Sequence, residues 1–242
     1  MAAGAPLGWL VLQTILGYPP GAAAPGQQAL YLYMLIGSVV AFGVFGFLLG
    51  EREDRLLAIN RTLDDLAVTD SLTGLRNARY FHTRFEEEKA ESVRSGEPLA
   101  FVIIDLDHFK QVNDRYGHAV GDEVLANAAR AISSITRHGE TVARIGGEEF
   151  GLLLPGSTTD AALEVAERVR RAIIETETPL PGPADGKVRM TASAGVVSTA
   201  ESPGAGTREL YQAADQALYR AKAEGRNRIV VATALGITSG RD

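Results

Sequence analysis

At 242 residues the chain has room for one domain of ordinary size and an appendage. Its 45% hydrophobic and 22% charged residues are the balance of a globular protein, and a net charge of −6 argues against a general nucleic-acid binder, which needs a basic face to neutralise phosphates. With no cysteine, disulfides and thiolate metal sites are excluded, and zinc could draw only on carboxylates and four scattered histidines.

The mean hydropathy of zero averages unlike parts. Leu7 to Leu16 is apolar but too short to span a bilayer, and the following GYPPGAAAPG breaks any helix, so residues 1–28 read as a short extracytoplasmic segment. From Ala29 to Gly50, ALYLYMLIGSVVAFGVFGFLLG carries no charge. At about 1.5 Å per residue it would span roughly 33 Å, against a hydrocarbon core of about 30 Å. A buried core helix is the alternative, but it would have to be apolar on every face in a small domain. A signal peptide fits poorly, because the run is long, starts late and has no basic residue before it. Lys and Arg are absent before Arg52, whereas Arg52, Arg55 and Arg61 follow the run directly. The positive-inside rule then places everything after residue 51 in the cytoplasm. The expectation is a single-pass protein of the inner (cytoplasmic) membrane, held through residues 29–50.

Residues 51–69, EREDRLLAINRTLDDLAVT, set Leu56, Ile59, Leu63 and Leu66 at alternating steps of three and four. That is a coiled-coil seam, and it predicts a linker helix that pairs in parallel; an amphipathic helix packed on its own domain is the other reading. From residue 70 the pattern is mixed. NARYFHTRFEEEKAESVRSG reads as a helix ending at Gly96 and LAFVIIDLD as a buried strand. Gly121 to Arg137 reads as a helix with Val124, Ala128, Ile132 and Ile135 on one face. Two strands flank Gly146, then Thr159 to Glu175 is a helix with Leu163, Ala166, Val169 and Ile173 inward. KVRMTASAGVVS is a strand pair or one long strand, RELYQAADQALYRAKAEG a helix with Leu210, Ala214, Ala217 and Ala221 on its seam, and NRIVVA a closing strand. Helices alternating with strands around a hairpin-containing sheet predict an α+β domain.

Asp105 ends the strand FVIID where the chain turns into LDHFKQVND. An acid at the carboxyl end of a buried strand, before a helix start, is where metal and phosphate are commonly met, with backbone N–H groups from Asp107 to Lys110 and the Lys110 charge facing an anion; a capped helix start explains it equally. If the ARIG strand lies beside FVIID, Glu148 at the hairpin tip faces Asp105. Two converging carboxylates are costly unless a divalent cation neutralises them, and oxygen donors suit Mg²⁺. The Gly146–Gly147 pair lets backbone approach a ligand.

DSLTGLRN from Asp70, DLDHFKQVNDRYGHAVGDEVL from Asp105, RIGGEEF from Arg144 and ADQALYRAKAEGRNR from Ala214 together resemble the GGDEF family of diguanylate cyclases. The four motifs occur in the family's order over residues 70–232, leaving 233–242 as a tail. The resemblance implies a ferredoxin-like, palm-type nucleotide cyclase domain, a central antiparallel-containing sheet flanked by helices. It implies condensation of two GTP into cyclic di-GMP with loss of two pyrophosphates, across a homodimer. Carried over by position, it makes Asp105, the Leu106 carbonyl and Glu148 ligands of Mg²⁺, two ions per site, with Mn²⁺ as a substitute. Glu148 is also the implied base, Glu149 supports the loop, and Lys110 shares the catalytic set. Asn113 and Asp122 match the guanine-reading positions, Lys110, Lys222 and Arg226 the phosphate contacts, and Gly146 and Gly147 the space for nucleotide. Phe109 and His118 fall in the same substrate-binding motif, His118 reading equally as a structural loop residue. For Lys222 and Arg226 the alternative is compensation of the helix dipole.

Two positions depart from the pattern. The product-inhibition motif R-x-x-D is here Arg137-His138-Gly139-Glu140, one methylene longer at the acid, and Ala78 stands where the family often has Arg. A degenerate copy acting as a nucleotide-binding receptor or scaffold is the competing function. A cyclase of altered base choice is a third, disfavoured by Asp122.

Overall fold

The computed structural model describes residues 34, 37–48, 68–181 and 186–232. The chain divides into two compact units, Met1–Leu63 and Asp64–Asp242. In the first, residues 37–48 are helical. Among the described residues no helix is long and apolar enough to cross a membrane. This overturns the expected single-pass span over 29–50, together with the inner-membrane location and orientation drawn from it. The physical reason is that a charge-free run measures partitioning, not helix length. Residues 37–48 cover roughly 18 Å at about 1.5 Å per residue. Gly37, Gly43 and Gly46 lie within them, each costing a helix about 1 kcal/mol relative to alanine. Residues 29–33, 35–36 and 49–50 of that run, residues 1–28, all but the last two residues of the 51–69 linker helix, and the 233–242 tail lie outside the described residues.

The second unit is built from β1 (Arg76–Asn77), α1 (Ala78–Ser95), β2 (Leu99–Leu106), α2 (Phe109–Tyr116), α3 (His118–Ile135), β3 (Thr141–Arg144), β4 (Glu149–Pro155), α4 (Thr159–Glu175), β5 (Glu177–Pro179), β6 (Lys187–Arg189), β7 (Ala192–Ser198), α5 (Thr207–Ala223) and β8 (Ile229–Val231). Six strands form one mixed sheet in the order β1-β3-β4-β2-β7-β8, and β5 pairs β6 separately. The two outer pairs, β1 with β3 and β7 with β8, are parallel, and the inner pairs are antiparallel.

Strand β2 is central and buried along its whole length, so its side chains divide by parity between two cores. Ala100, Val102, Ile104 and Leu106 join α3 and α4 on one face, through residues such as Val124, Ile132, Val169 and Ile173. Leu99, Phe101 and Ile103 join Phe81 and Phe85 of α1 and Leu210, Ala214 and Leu218 of α5 on the other. Burial of this kind contributes about 25 cal/mol per Å² of apolar surface and dominates the stability of the layers.

Local signals set the helix ends. Asn77 caps α1 by accepting from the Tyr80 N–H at 2.9 Å, and Gly96 closes it with φ of 77°, a left-handed angle. Thr158 caps α4 through the Ala161 N–H. Of the expected inward face of α4, Ala166, Val169 and Ile173 are buried with Ala162 and Val165 beside them, whereas Leu163 is exposed. KVRMTASAGVVS is two strands in two different sheets, interrupted at Met190–Thr191.

Candidate active site

The site is assembled at the end of the sheet where β2 stops. The neighbour of β2 there is β4, not the ARIG strand, which lies one place further out as β3. In the register of β2 with β4, Asp105 stands opposite Glu149, and the Leu106 N–H donates to the Glu148 carbonyl at 3.2 Å. The hairpin therefore presents both of its acids to Asp105: Glu149 from the directly opposed position, Glu148 from the turn beyond it. The Gly146–Gly147 turn fits this arrangement, since a Cβ on Gly146 would collide with the Glu149 carboxylate.

Two residues that the sequence reading did not single out hold the turn. Arg144 donates from Nε and Nη2 to the Gly147 carbonyl at 3.1 and 2.7 Å, and from Nη1 to both oxygens of Asp70 at 3.3 Å. Asp70 also accepts from the N–H and hydroxyl of Thr73 at 2.8 and 2.6 Å. Burial works against its charge, but the Thr73 hydrogen bonds and Arg144 hold its carboxyl below the ordinary range. The first motif, DSLTGL, is thus tied to the glycine turn in space.

Asp105 is 4% exposed and its carboxylate meets Lys222 Nζ of α5 at 2.7 Å. That helix is brought close by Gly195 of β7, where a Cβ would collide with the Ala214 carbonyl. Burial pushes the Asp105 carboxyl above its usual range; Lys222 and Arg226 oppose the shift and Asp107 adds to it. Glu148 is raised by burial and then by Asp105, and Glu149 likewise, with Lys222 opposing both. Burial raises all three acids, and the Asp105 charge raises both glutamates further, around one close ammonium, leaving negative charge for a cation to neutralise. Among the described residues no three His, Cys, Asp or Glu side chains are grouped as a metal cage. A hard cation held by one or two carboxylates and completed by carbonyl, water and phosphate oxygens does not need one.

Lys110 and Asn113 lie on α2, and Asp122 lies on α3 just past the Gly117 break, where φ is 84°. The Asn113 amide occupies the space a Cβ on Gly121 would fill, so Asn113 and Asp122 share the corner between these helices. Lys110, His118 and Asp122 are exposed, whereas Phe109 is 5% exposed and belongs to the core below that corner. The Asp107 N–H, expected to face an anion, instead donates to the Thr191 carbonyl at 2.9 Å. Arg137 and Glu140 lie on the α3–β3 connection, where Glu140 Oε2 accepts from the Arg137 N–H at 2.7 Å. The longer side chain folds back onto its own turn. On α5, Tyr211 stacks on Phe101 with ring centroids 5.3 Å apart. Its hydroxyl is raised by burial and by Glu149 and Asp215, which places two further groups beside the acids.

The diguanylate cyclase GGDEF domain model matches residues 67–228. The diguanylate cyclase DgcP of Pseudomonas aeruginosa is 40% identical over 166 residues, 69% of this chain and 24% of that protein. Diguanylate cyclase A of Treponema denticola is 40% identical over 182 residues, 72% of this chain and 47% of that protein. The chain thus spans less than half the length of these curated relatives. The crystal structure of the GGDEF domain of DgcB from Caulobacter crescentus, in complex with c-di-GMP, superposes with a TM-score of 0.65 at 30% identity, covering 69% of this chain and 96% of that one. A match that takes in the wide turn at Asp70, the sheet end at Asp105 and the glycine turn at Gly146 makes this chain a member of the GGDEF diguanylate cyclase family.

Proposed function

We propose that the chain is a diguanylate cyclase, joining two GTP molecules into cyclic di-GMP and releasing two pyrophosphates, with residues 70–232 as the catalytic domain. The observation that carries this is the convergence of Asp105, Glu148 and Glu149 on Lys222 at one end of the sheet, each acid held above its ordinary range. Asp105, Glu148 and the Leu106 carbonyl are the oxygen donors that would hold Mg²⁺. When bound, the ion neutralises phosphate charge and lowers the pKa of the attacking 3′-hydroxyl.

The remaining work falls to the chain's own groups. Glu148, whose raised pKa makes it a better proton acceptor than an ordinary carboxylate, takes the 3′-hydroxyl proton. Lys110, Lys222 and Arg226 hold the triphosphate and the departing pyrophosphate. Asn113 and Asp122 read guanine, Asp122 accepting from N1–H and N2–H₂ together, a donor pair that adenine lacks. Arg144 keeps the glycine turn, and with it Glu148, in place. Each domain binds one GTP, so closing the ring needs two domains face to face, and the heptads of residues 51–69 would keep a second copy near. The receptor or scaffold reading gains nothing from the site, which retains the acids and cations that chemistry needs.

Incubation of the full chain with Mg²⁺ and an equal mixture of GTP and ATP, followed by ion-exchange chromatography, tests this. The expected products are cyclic di-GMP and pyrophosphate, with ATP left unconsumed. Unchanged GTP, or pyrophosphate without the cyclic dinucleotide, contradicts it.

A further inference from the structure

The turn between α5 and β8 has three successive residues with left-handed backbone angles: Gly225 at φ 115°, Arg226 at 61° and Asn227 at 48°. Only the first is glycine, so Arg226 and Asn227 stay in this region because something outside the turn keeps them there. Arg226 donates its N–H to the Ala221 carbonyl at the end of α5, at 3.0 Å, and two side chains hold Asn227. Asp107, 3% exposed, accepts from the Asn227 N–H at 3.0 Å. The same carboxylate accepts from the Thr191 and Ser193 hydroxyls, each at 2.7 Å, so its position is fixed by β7 and the residue before it. Arg170 of α4 donates to the Asn227 side-chain oxygen at 2.5 Å and to its carbonyl at 3.4 Å, at atoms other than the N–H that Asp107 holds. The Arg170 fork is itself oriented by Glu167, at 2.8 and 2.7 Å.

We propose that Asp107 and Arg170 are positioning residues: by gripping Asn227 at different atoms they hold Arg226 in the one backbone conformation that presents its guanidinium to the phosphate end of the site. Arg226 is near enough to Asp105 to favour its charged form, which fits that direction. Neither residue touches substrate in this account. Asp107 couples the end of β2 to the turn, and Arg170 couples α4, on the other face of the sheet from α5, to the same turn. The inference rests on the proposed role of Arg226 in holding GTP phosphates.

The test combines steady-state kinetics of the full chain on GTP with amide hydrogen exchange at Asn227. The variants are Arg170→Met, Asp107→Ala, Arg226→Ala and the Arg170→Met/Arg226→Ala double. Arg170→Met is expected to raise KM about tenfold while kcat stays within about twofold, the pattern of a misplaced binding group. In the Arg226→Ala background it should add less than about a further twofold, because the two residues act as one unit. The Asn227 amide should be protected in the parent chain and exchange at least about tenfold faster in either clamp variant. Arg170→Met is remote from Asp105 and keeps the test alive if Asp107→Ala does not fold. Independent, multiplying effects of Arg170→Met and Arg226→Ala, or an unprotected Asn227 amide in the parent, overturn the clamp. A parent chain that leaves GTP untouched sinks the proposed function instead, and Asn227 exchange then decides the clamp alone.

Discussion

Glu148 and Glu149 carry charge in a place that resists it: each is partly buried, faces Asp105 and has the other beside it. For a carboxyl whose folded pKa lies above its unfolded value, the favourable contribution is complete below the unfolded pKa, near 4.5 for glutamate, and is lost as pH rises through the folded one. Asp70 and Glu167 behave oppositely. Hydrogen bonds from Arg170 hold Glu167 down to about 2, so its contribution is present above 4.5 and fades only as pH falls toward 2. That pair is half-buried and still screened by solvent, so its effect is modest. By these two acids the metal-free protein is therefore expected to melt higher at a pH near 4.5 than at pH 7.5. Glu148→Gln with Glu149→Gln should remove that difference and raise Tm at pH 7.5 by about 3 °C, the usual gain when strained active-site charge is removed from a chain this size. Differential scanning calorimetry without divalent ions decides it; a lower Tm in the double variant contradicts the reading of repelling acids. At this scale Asp105 and the glycine-glutamate turn were legible, because an acid closing an apolar strand is conspicuous. Asp107 was not. Its signal was parity: Asp107 follows Asp105 by two, and opposite them stand the polar Ser193 of β7 and Thr191 just before that strand.

The hairpin and α5 decide where those residues meet. α5 lies so close on β7 that Gly195 has no room for a side chain, the obstacles being the backbone atoms Ala214 O and Leu218 N. Gly195→Ala is expected to cost at least about 2 kcal/mol through overpacking. Chemical denaturation reads that directly, and a change below about 0.5 kcal/mol would show that the helix can slide. The hairpin depends on Arg144, whose loss frees the Gly147 carbonyl and the Asp70 carboxylate together. Periodicity recovered the boundaries of α1, β2, α4 and α5 to within a few residues. It could not give the order of strands. Sequence adjacency suggested the ARIG strand beside β2, whereas the hairpin folds its second strand inward, because FGLLL of β4 is buried along its length and Thr141, Val142 and Arg144 of β3 are only partly so.

For the molecule as a whole, the proposed condensation, with one GTP per domain, would make association part of catalysis. A chain starting at Asp70, lacking the heptads, is expected to show specific activity that falls about in proportion to concentration on dilution, while the full chain holds its activity to lower concentration. Stopped assays over a hundredfold dilution series check this, and identical curves remove the role given to residues 51–69. Hydropathy was the weakest guide at this scale, since the charge-free run over 29–50 was read as a membrane span and no described helix is long and apolar enough to be one.

The central claim is that Asp105 and Glu148, 43 positions apart in the sequence, form one catalytic group. The most direct measurement is the rate of cyclic di-GMP formation by Glu148→Gln beside the parent chain, with Tm recorded for both. A rate at least about a hundredfold lower, the scale of losing a general base, in a protein that melts no lower than the parent is the expected result. Equal rates from two equally folded proteins would contradict the account.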